Sequence, residues 1–149
     1  MTKIERIENA VLGGGEAGKY LAWELAQQGR PVVVIERALI GGSCPNIACL
    51  PSKNVIRSAK VADLAARGAS YGLRRDAPGV DLSRVRQRKR DMVDGLIAIH
   101  QKKFAVPHLE FLLAEGVVVG PRTVEARLPD GGARRFVCLL YTSPSPRDS

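Results

Sequence analysis

The 149-residue sequence holds no apolar run near the roughly 18 residues that a membrane-spanning helix needs. Its opening, Met1-Thr2-Lys3-Ile4-Glu5-Arg6, lacks the apolar stretch of a signal peptide. The chain therefore reads as cytoplasmic, with no membrane partner. Cysteine is scarce: Cys44, Cys49 and Cys138 are too few, and odd in number, for the disulfide framework of a small secreted protein. Aromatic residues make up only 5% and do not interleave with the basic ones as a nucleic-acid surface would require. Zinc would need two ligands besides Cys44 and Cys49, and Cys138, His100 and His108 show no second paired spacing, so no metal site is expected. Acidic residues are outnumbered, 15 against 23, for a net charge of +8 and a pI near 9.9. The densest basic stretch, Arg84-Val85-Arg86-Gln87-Arg88-Lys89-Arg90, runs into acidic residues and an amphipathic continuation. It reads as a solvated helix face, with no nucleic-acid partner; a basic nucleic-acid-binding module would leave the motifs below unexplained.

What is present is the balance of an ordinary globular chain, 45% hydrophobic and 26% charged, long enough for one domain with one core. Ala10-Val11-Leu12 reads as a strand running into Gly13-Gly14-Gly15-Glu16-Ala17-Gly18, after which Ala17, Leu21 and Leu25 recur at helical spacing. Gly29 stands where a helix C-cap belongs, and Pro31 to Ile35 is a β-branched run ending at Glu36. The first 36 residues thus read as a βαβ unit, with Asn9 as an interruption of its first strand. A helix is predicted from Pro51 to Gly68 on the stripe Val55, Ala59, Ala62 and Ala66, then a loop from Gly68 to Gly79. Asp81 would cap a second helix reaching Phe104, with Val85, Met92, Leu96 and Ile99 as its apolar stripe. The last third gives short β-like runs at Leu109–Leu113, Val117–Val119, Thr123–Leu128 and Ala133–Leu140, with Pro129-Asp130-Gly131-Gly132 as a hairpin turn. They fit a strand returning to a parallel sheet plus a small antiparallel meander. Residues 1–139 are read as one partial domain, and 140–149, rich in serine and proline, as a non-native-looking tail.

In Gly13-x-Gly15-x-x-Gly18 the three glycines serve separate steric ends, namely a tight turn, close approach of backbone to a pyrophosphate, and close packing of helix on strand. The unpaired N–H groups and positive dipole end of the following helix would hold the phosphates without a cationic side chain. Glu36, 21 residues after Gly15, ends the second strand where a carboxylate can accept from both ribose hydroxyls and would repel a 2′-phosphate. The site should prefer FAD or NAD over NADP. Glu16 places a negative charge near those phosphates.

Cys44-Pro45-Asn46-Ile47-Ala48-Cys49-Leu50-Pro51-Ser52-Lys53 has four residues between its thiols and precedes a helix. A bend there could bring both sulfurs within bonding range, and the positive helix end, with Lys53 on the face of Cys49, would favour an anionic sulfur. Two unrelated buried thiols remain an alternative, as does a flavin- or NAD-dependent oxidoreductase whose cysteines are incidental.

Taken in order, the fingerprint, Glu36 and Gly41-Gly42-Ser43-Cys44-x-x-x-x-Cys49-x-Pro51-Ser52-Lys53 resemble the class I pyridine nucleotide-disulfide oxidoreductases. Within that family the mercuric reductase-like and dihydrolipoamide dehydrogenase-like proteins look most similar. The resemblance implies an α/β fold: a partial Rossmann-like βαβ FAD-binding domain with a small antiparallel insertion. It implies FAD on Gly13, Gly15, Gly18, Glu36, Gly42 and Ser43, with Cys49 as the sulfur beside the flavin, Cys44 as the interchange thiol and Lys53 near the flavin N5 edge. It also implies NAD(P)H as co-substrate, a disulfide or metal-ion substrate, and a homodimer for the complete protein. Pro45 and Ala48 depart from the family pattern and leave the substrate open. With no second glycine fingerprint for NAD(P)H, the chain reads as an N-terminal fragment, inactive alone, of such an enzyme.

Overall fold

The computed structural model describes residues 4–72 and 79–141. They fall into two compact units, one comprising the residues up to Gly42 with those from Ala98 on, the other Ser43–Ile97. Residues 73–78 of the expected loop and 142–149 of the expected 140–149 tail lie outside the described residues, whereas Leu140 and Tyr141 are not tail but the end of a strand, paired with Asn9 and Ala10.

The first unit is built on one six-stranded sheet in the order β3-β2-β1-β6-β5-β4. Its strands are β1 (Ile4–Leu12), β2 (Val32–Glu36), β3 (Leu109–Leu113), β4 (Glu115–Gly120), β5 (Thr123–Arg127) and β6 (Ala133–Tyr141). β3, β2, β1 and β6 are mutually parallel, and β6, β5 and β4 form an antiparallel meander. β6 therefore belongs to both arrangements. It closes the meander through Val124 opposite Phe136, and it lies beside β1 with Ile4 opposite Arg135. β2 is short, β-branched and buried on both faces, as a central parallel strand should be. Val33 and Ile35 enter one core with Ala10, Phe136 and Cys138, while Val32 and Val34 enter the other with Ala22, Trp23 and Phe104.

Asn9 does not interrupt β1. It lies inside the strand, buried, and both its backbone N–H and its side-chain Nδ2 donate to the Pro31 carbonyl at 3.2 Å. The amide thus satisfies a carbonyl at the start of the neighbouring strand, which is why a polar residue is tolerated there. Helix α1 (Glu16–Gln27) crosses from β1 to β2, and of its predicted packed face, Ala17, Leu21 and Leu25, only Leu25 is buried. Leu21 is exposed, and Lys19, Ala22, Trp23, Leu25 and Ala26 are buried, because the small side chains at 18, 22 and 26 let the helix approach the sheet.

The second unit holds a single helical turn, α2 (Ser43–Asn46), then α3 (Cys49–Ala66) and a 3₁₀ turn at Gly68–Tyr71 where a loop was expected. Helix α4 (Leu82–Phe104) begins here and finishes in the first unit. On α3 the predicted stripe holds only at Ala62: Val55, Ala59 and Ala66 are exposed, and the inward row is Pro51, Asn54, Ser58 and Ala62. The reason is a polar seam, in which Arg88 donates to the Asn54 carbonyl and to Ser58 Oγ, and Asn54 Nδ2 donates to Met92 Sδ. On α4, Val85, Met92 and Leu96 do face inward, whereas Ile99 is half exposed and the row continues through His100 and Phe104, both buried.

Asp81 caps α4 as the sequence predicts, its Oδ1 accepting from Ser83 N at 2.9 Å, Arg84 N at 3.2 Å and Ser83 Oγ at 2.6 Å. The Ser83 hydroxyl, then the Arg84 amide, hold the Asp81 carboxyl below its ordinary pKa. A lowered carboxyl pKa stabilises above the unfolded value and loses that contribution as pH falls through the folded one. Asp81→Ala should therefore fray the start of α4 at neutral pH, lowering helical circular dichroism and the thermal midpoint, and the difference from the wild type should vanish in strong acid, once the folded-state carboxyl is protonated.

Candidate functional site

The first unit brings five of the predicted residues together around one turn. Gly13, after β1, has φ +94°, a left-handed conformation that favours glycine, and its N–H donates to Ile35 O at 2.8 Å. Gly15 is the N-cap residue of α1, and the first helical bond runs from Lys19 N to Gly15 O at 2.9 Å. The N–H groups of Glu16, Ala17 and Gly18 precede that bond and have no acceptor within the helix. They form the anion-facing end of α1. At Gly18 a Cβ would sit 1.9 Å from the Gly13 carbonyl oxygen and 3.0 Å from Val11 Cγ1, so the helix reaches the strand only because that side chain is missing.

A second glycine pair completes the cradle. Gly42 has φ +80°, and a Cβ on it would fall 2.5 Å from Gly15 Cα, so the two backbones meet where neither carries a side chain. Gly42 N donates to Leu39 O at 2.7 Å, which folds the 39–42 segment back on the turn. Glu36 links the two halves. Its Oε2 accepts from Gly14 N at 2.8 Å, and its Oε1 accepts from Ala38 N at 2.9 Å and Leu39 N at 3.2 Å. Three bonds leave lone-pair capacity on a carboxylate that offers roughly four acceptor sites, so the residue braces the turn and still has room for a ribose hydroxyl.

Glu16 does place its carboxylate at the start of α1, where the charge is paired. Its Oε1 lies 2.7 Å from the ammonium of Lys19, which is itself buried and also 3.1 Å from His100 Nε2. Neither Lys19 nor His100 stood out in the sequence. The signal was there for His100: an i+4 step from Leu96 extends the inward row of α4 onto it.

The other four predicted residues lie in the second unit. Ser43 opens α2 and its carbonyl accepts from Ile47 N and Ala48 N, both at 2.9 Å. Cys44 is half-buried in that turn. Cys49 is exposed as the first residue of α3, after Ala48, whose methyl group offers no side-chain cap. Lys53, four residues on, is exposed on the same helical face. Cys44 is half-buried and Cys49 exposed, so neither is a fully buried thiol. Cys138 is the buried one: burial in the β6 core raises its thiol pKa and keeps it protonated. Among the described residues no cluster of three or more His, Cys, Asp or Glu side chains could hold a metal ion, and no helix is long and apolar enough to cross a membrane.

A parallel α/β sheet whose first strand ends in a glycine turn under a helix N-terminus, with an acidic residue closing the second strand, defines a dinucleotide-binding protein. The model of the pyridine nucleotide-disulphide oxidoreductases matches residues 8–128, and the chain belongs to that family of FAD-dependent oxidoreductases. Similar proteins include a dihydrolipoyl dehydrogenase of Chlorobaculum tepidum, 33% identical over 98% of this chain and 32% of its own length. A mercuric reductase of Acidithiobacillus ferrooxidans is 33% identical over 95% of this chain and 27% of its own. The fold also matches the Cu(II) complex of the HOCl-induced flavoprotein disulfide reductase RclA from Escherichia coli, with a TM-score of 0.74 and 24% identity, covering 90% of this chain and 27% of that one. The chain thus spans about a third or less of the length of these relatives.

Proposed function

We propose that this chain is the FAD-binding segment of an enzyme that carries electrons from NAD(P)H to a Cys44–Cys49 disulfide and on to a disulfide or metal-ion substrate. The observation that supports it most is the back-to-back approach of Gly15 and Gly42, two residues without side chains, beside the α1 N–H groups that have no acceptor within the helix. When bound, FAD would supply the hydride-accepting and electron-passing chemistry that amino-acid side chains lack. The α1 N–H groups would bind its pyrophosphate and Glu36 its ribose hydroxyls.

The cysteines then divide the labour. In the reduced pair the Cys44 sulfur attacks a substrate disulfide, forming a mixed disulfide and releasing one substrate thiolate, which takes up a proton. Cys49 attacks the Cys44 sulfur next, releasing the second substrate thiol and re-forming the Cys44–Cys49 bond. Lys53, on the face of Cys49, places a cation where negative charge has to be held during that cycle. We take the NAD(P)H-binding and subunit-interface parts of such an enzyme to lie in the portion of its relatives that this chain does not span, and the complete enzyme to be a homodimer.

Titrating the chain with FAD and following quenching of flavin fluorescence tests the first half of this reading. Saturable binding is expected, and Gly42→Ala should weaken it about tenfold or more, because the added Cβ meets the Gly15 backbone. Absence of binding by the wild-type chain would overturn the assignment of the cradle. The chain alone is expected not to oxidise NADH; disulfide- or metal-dependent NADH turnover by it would overturn its reading as one segment of the enzyme.

A further inference from the structure

Lys19 is 4% exposed and His100 is 6% exposed, two buried basic side chains from distant parts of the sequence whose nitrogens stand 3.1 Å apart. The ammonium also meets Glu16 at 2.7 Å, so it is charged and donates in both directions. An ammonium has no acceptor, and His100 Nε2 is therefore the accepting nitrogen, which puts the imidazole proton on Nδ1. The ring is further held by Trp23, with centroids 5.8 Å apart.

This pair underlies the cradle. Gly41 has φ +80°, and a Cβ there would lie 2.7 Å from His100 Cδ2, so the 41–42 backbone rests directly on the imidazole. One residue later the same strap touches Gly15. The order of contact is Glu16 and Lys19 on α1, then His100, then Gly41 and Gly42, and back to Gly15 at the start of α1. The ring of contacts closes on the backbone assigned above to the pyrophosphate.

We propose that Lys19 and His100 are positioning residues for the dinucleotide phosphates: the Lys19-to-His100 hydrogen bond fixes the imidazole on which the Gly41-Gly42 strap is seated. The inference rests on the reading of the glycine turn as the cofactor site, and its test separates the two. In the cofactor-free chain, ¹⁵N NMR should show His100 with Nδ1 protonated and Nε2 accepting. Hydrogen exchange of the Gly42 amide, which is bonded to Leu39 O, should quicken about tenfold in His100→Leu and in Lys19→Met, and stay within about threefold of the wild type in His100→Gln, whose side-chain oxygen can still accept from the ammonium. FAD affinity should follow the same order, falling about tenfold in the first two variants and little in the third. Because removing Lys19 leaves the buried His100 Nε2 without its donor, Lys19→Met should also lose some thermal stability, and exchange and binding are compared at a temperature at which every variant is fully folded, so that weaker binding is not a folding defect.

Unchanged Gly42 exchange in both Lys19→Met and His100→Leu, or a His100 protonated on Nε2, would overturn the positioning role whatever the cofactor does. Altered exchange with unaltered FAD affinity would show that the strap is seated by His100 but is not part of the site, and would also overturn it. A wild-type chain that binds no FAD while the exchange pattern holds would defeat the cofactor assignment, and with it the proposed role, but not the seating of the strap.

Discussion

Gly18→Ala should destabilise the chain by about 3 kcal/mol or more, and Gly95→Ala should stabilise it by about 0.5–1 kcal/mol. Both glycines lie in helices, where alanine is intrinsically preferred by up to about 1 kcal/mol. Space decides the sign. At Gly95, on the exposed side of α4, an added Cβ meets nothing within 4 Å, so the propensity gain stands alone. At Gly18 the Cβ would lie 1.9 Å from the Gly13 carbonyl oxygen, whereas real Cβ contacts do not fall below 3.0 Å, and the obstacle is backbone that cannot rotate away. Relief requires the start of α1 to move by more than 1 Å off the end of β1. That movement undoes the packing of Ala22, Leu25 and Ala26 on the sheet and opens the cradle at Gly13 and Gly15. Urea unfolding followed by the fluorescence of Trp23, the one tryptophan in the sequence and a buried one, measures both variants. A Gly18→Ala protein with a wild-type midpoint would mean that α1 does not rest on β1 as described.

The two glycine positions also mark the boundary of what the sequence reveals. The order of strand, glycine turn, helix and strand was legible because β-branched runs, left-handed glycines and an acidic strand end each impose a local conformation that needs no distant partner. The Pro129-Asp130-Gly131-Gly132 turn and the Asp81 cap were legible for the same reason: Asp130 and Asp81 accept from backbone amides two residues on. The packed faces of the helices were not. On α1, residues Ala17, Leu21 and Leu25 and the adjacent row of Gly18, Ala22 and Ala26 share one periodicity. Hydrophobicity favours the first, of which only Leu25 is buried, whereas the small side chains of the second let the helix approach the sheet. On α3 the inward row is held by Arg88 and Asn54, a polar seam that an apolar-stripe reading passes over. Lys19 and His100 escaped for a related reason. Each satisfies the other across 81 residues of sequence, and a residue whose partner is that distant looks like a surface charge until the chain is folded. The dual role of β6 was equally hidden, since parallel pairing with β1 leaves no local mark.

The largest functional effects are expected at the cysteines, where three substitutions to serine should give three different outcomes. Measured in the complete enzyme, Cys49→Ser and Cys44→Ser should each lower disulfide turnover about a thousandfold or more, because a redox pair acts as a unit and half of it is worth almost nothing. They separate spectroscopically. If Cys49 is the sulfur beside the flavin, its replacement removes the long-wavelength absorption that a thiolate next to an oxidised flavin produces, while Cys44→Ser preserves that band and loses only exchange with substrate. Cys138→Ser should leave turnover within about threefold and lower stability instead, by about 1–3 kcal/mol, since its side chain sits in the core with Phe136, Ala10 and Val33, where a hydroxyl has little to bond. The contrast follows from placement: Cys44 and Cys49 occupy the solvent-reachable start of two helical segments, and Cys138 a strand interior. FAD binding should survive all three changes, because the cradle is made by the backbone of Gly13, Gly15, Gly18 and Gly42 and the carboxylate of Glu36 rather than by a cysteine. An unaltered band in Cys49→Ser would defeat the assignment of the flavin-side thiol, and undiminished turnover in both Cys44→Ser and Cys49→Ser would mean that electrons leave the flavin by a route that uses neither cysteine.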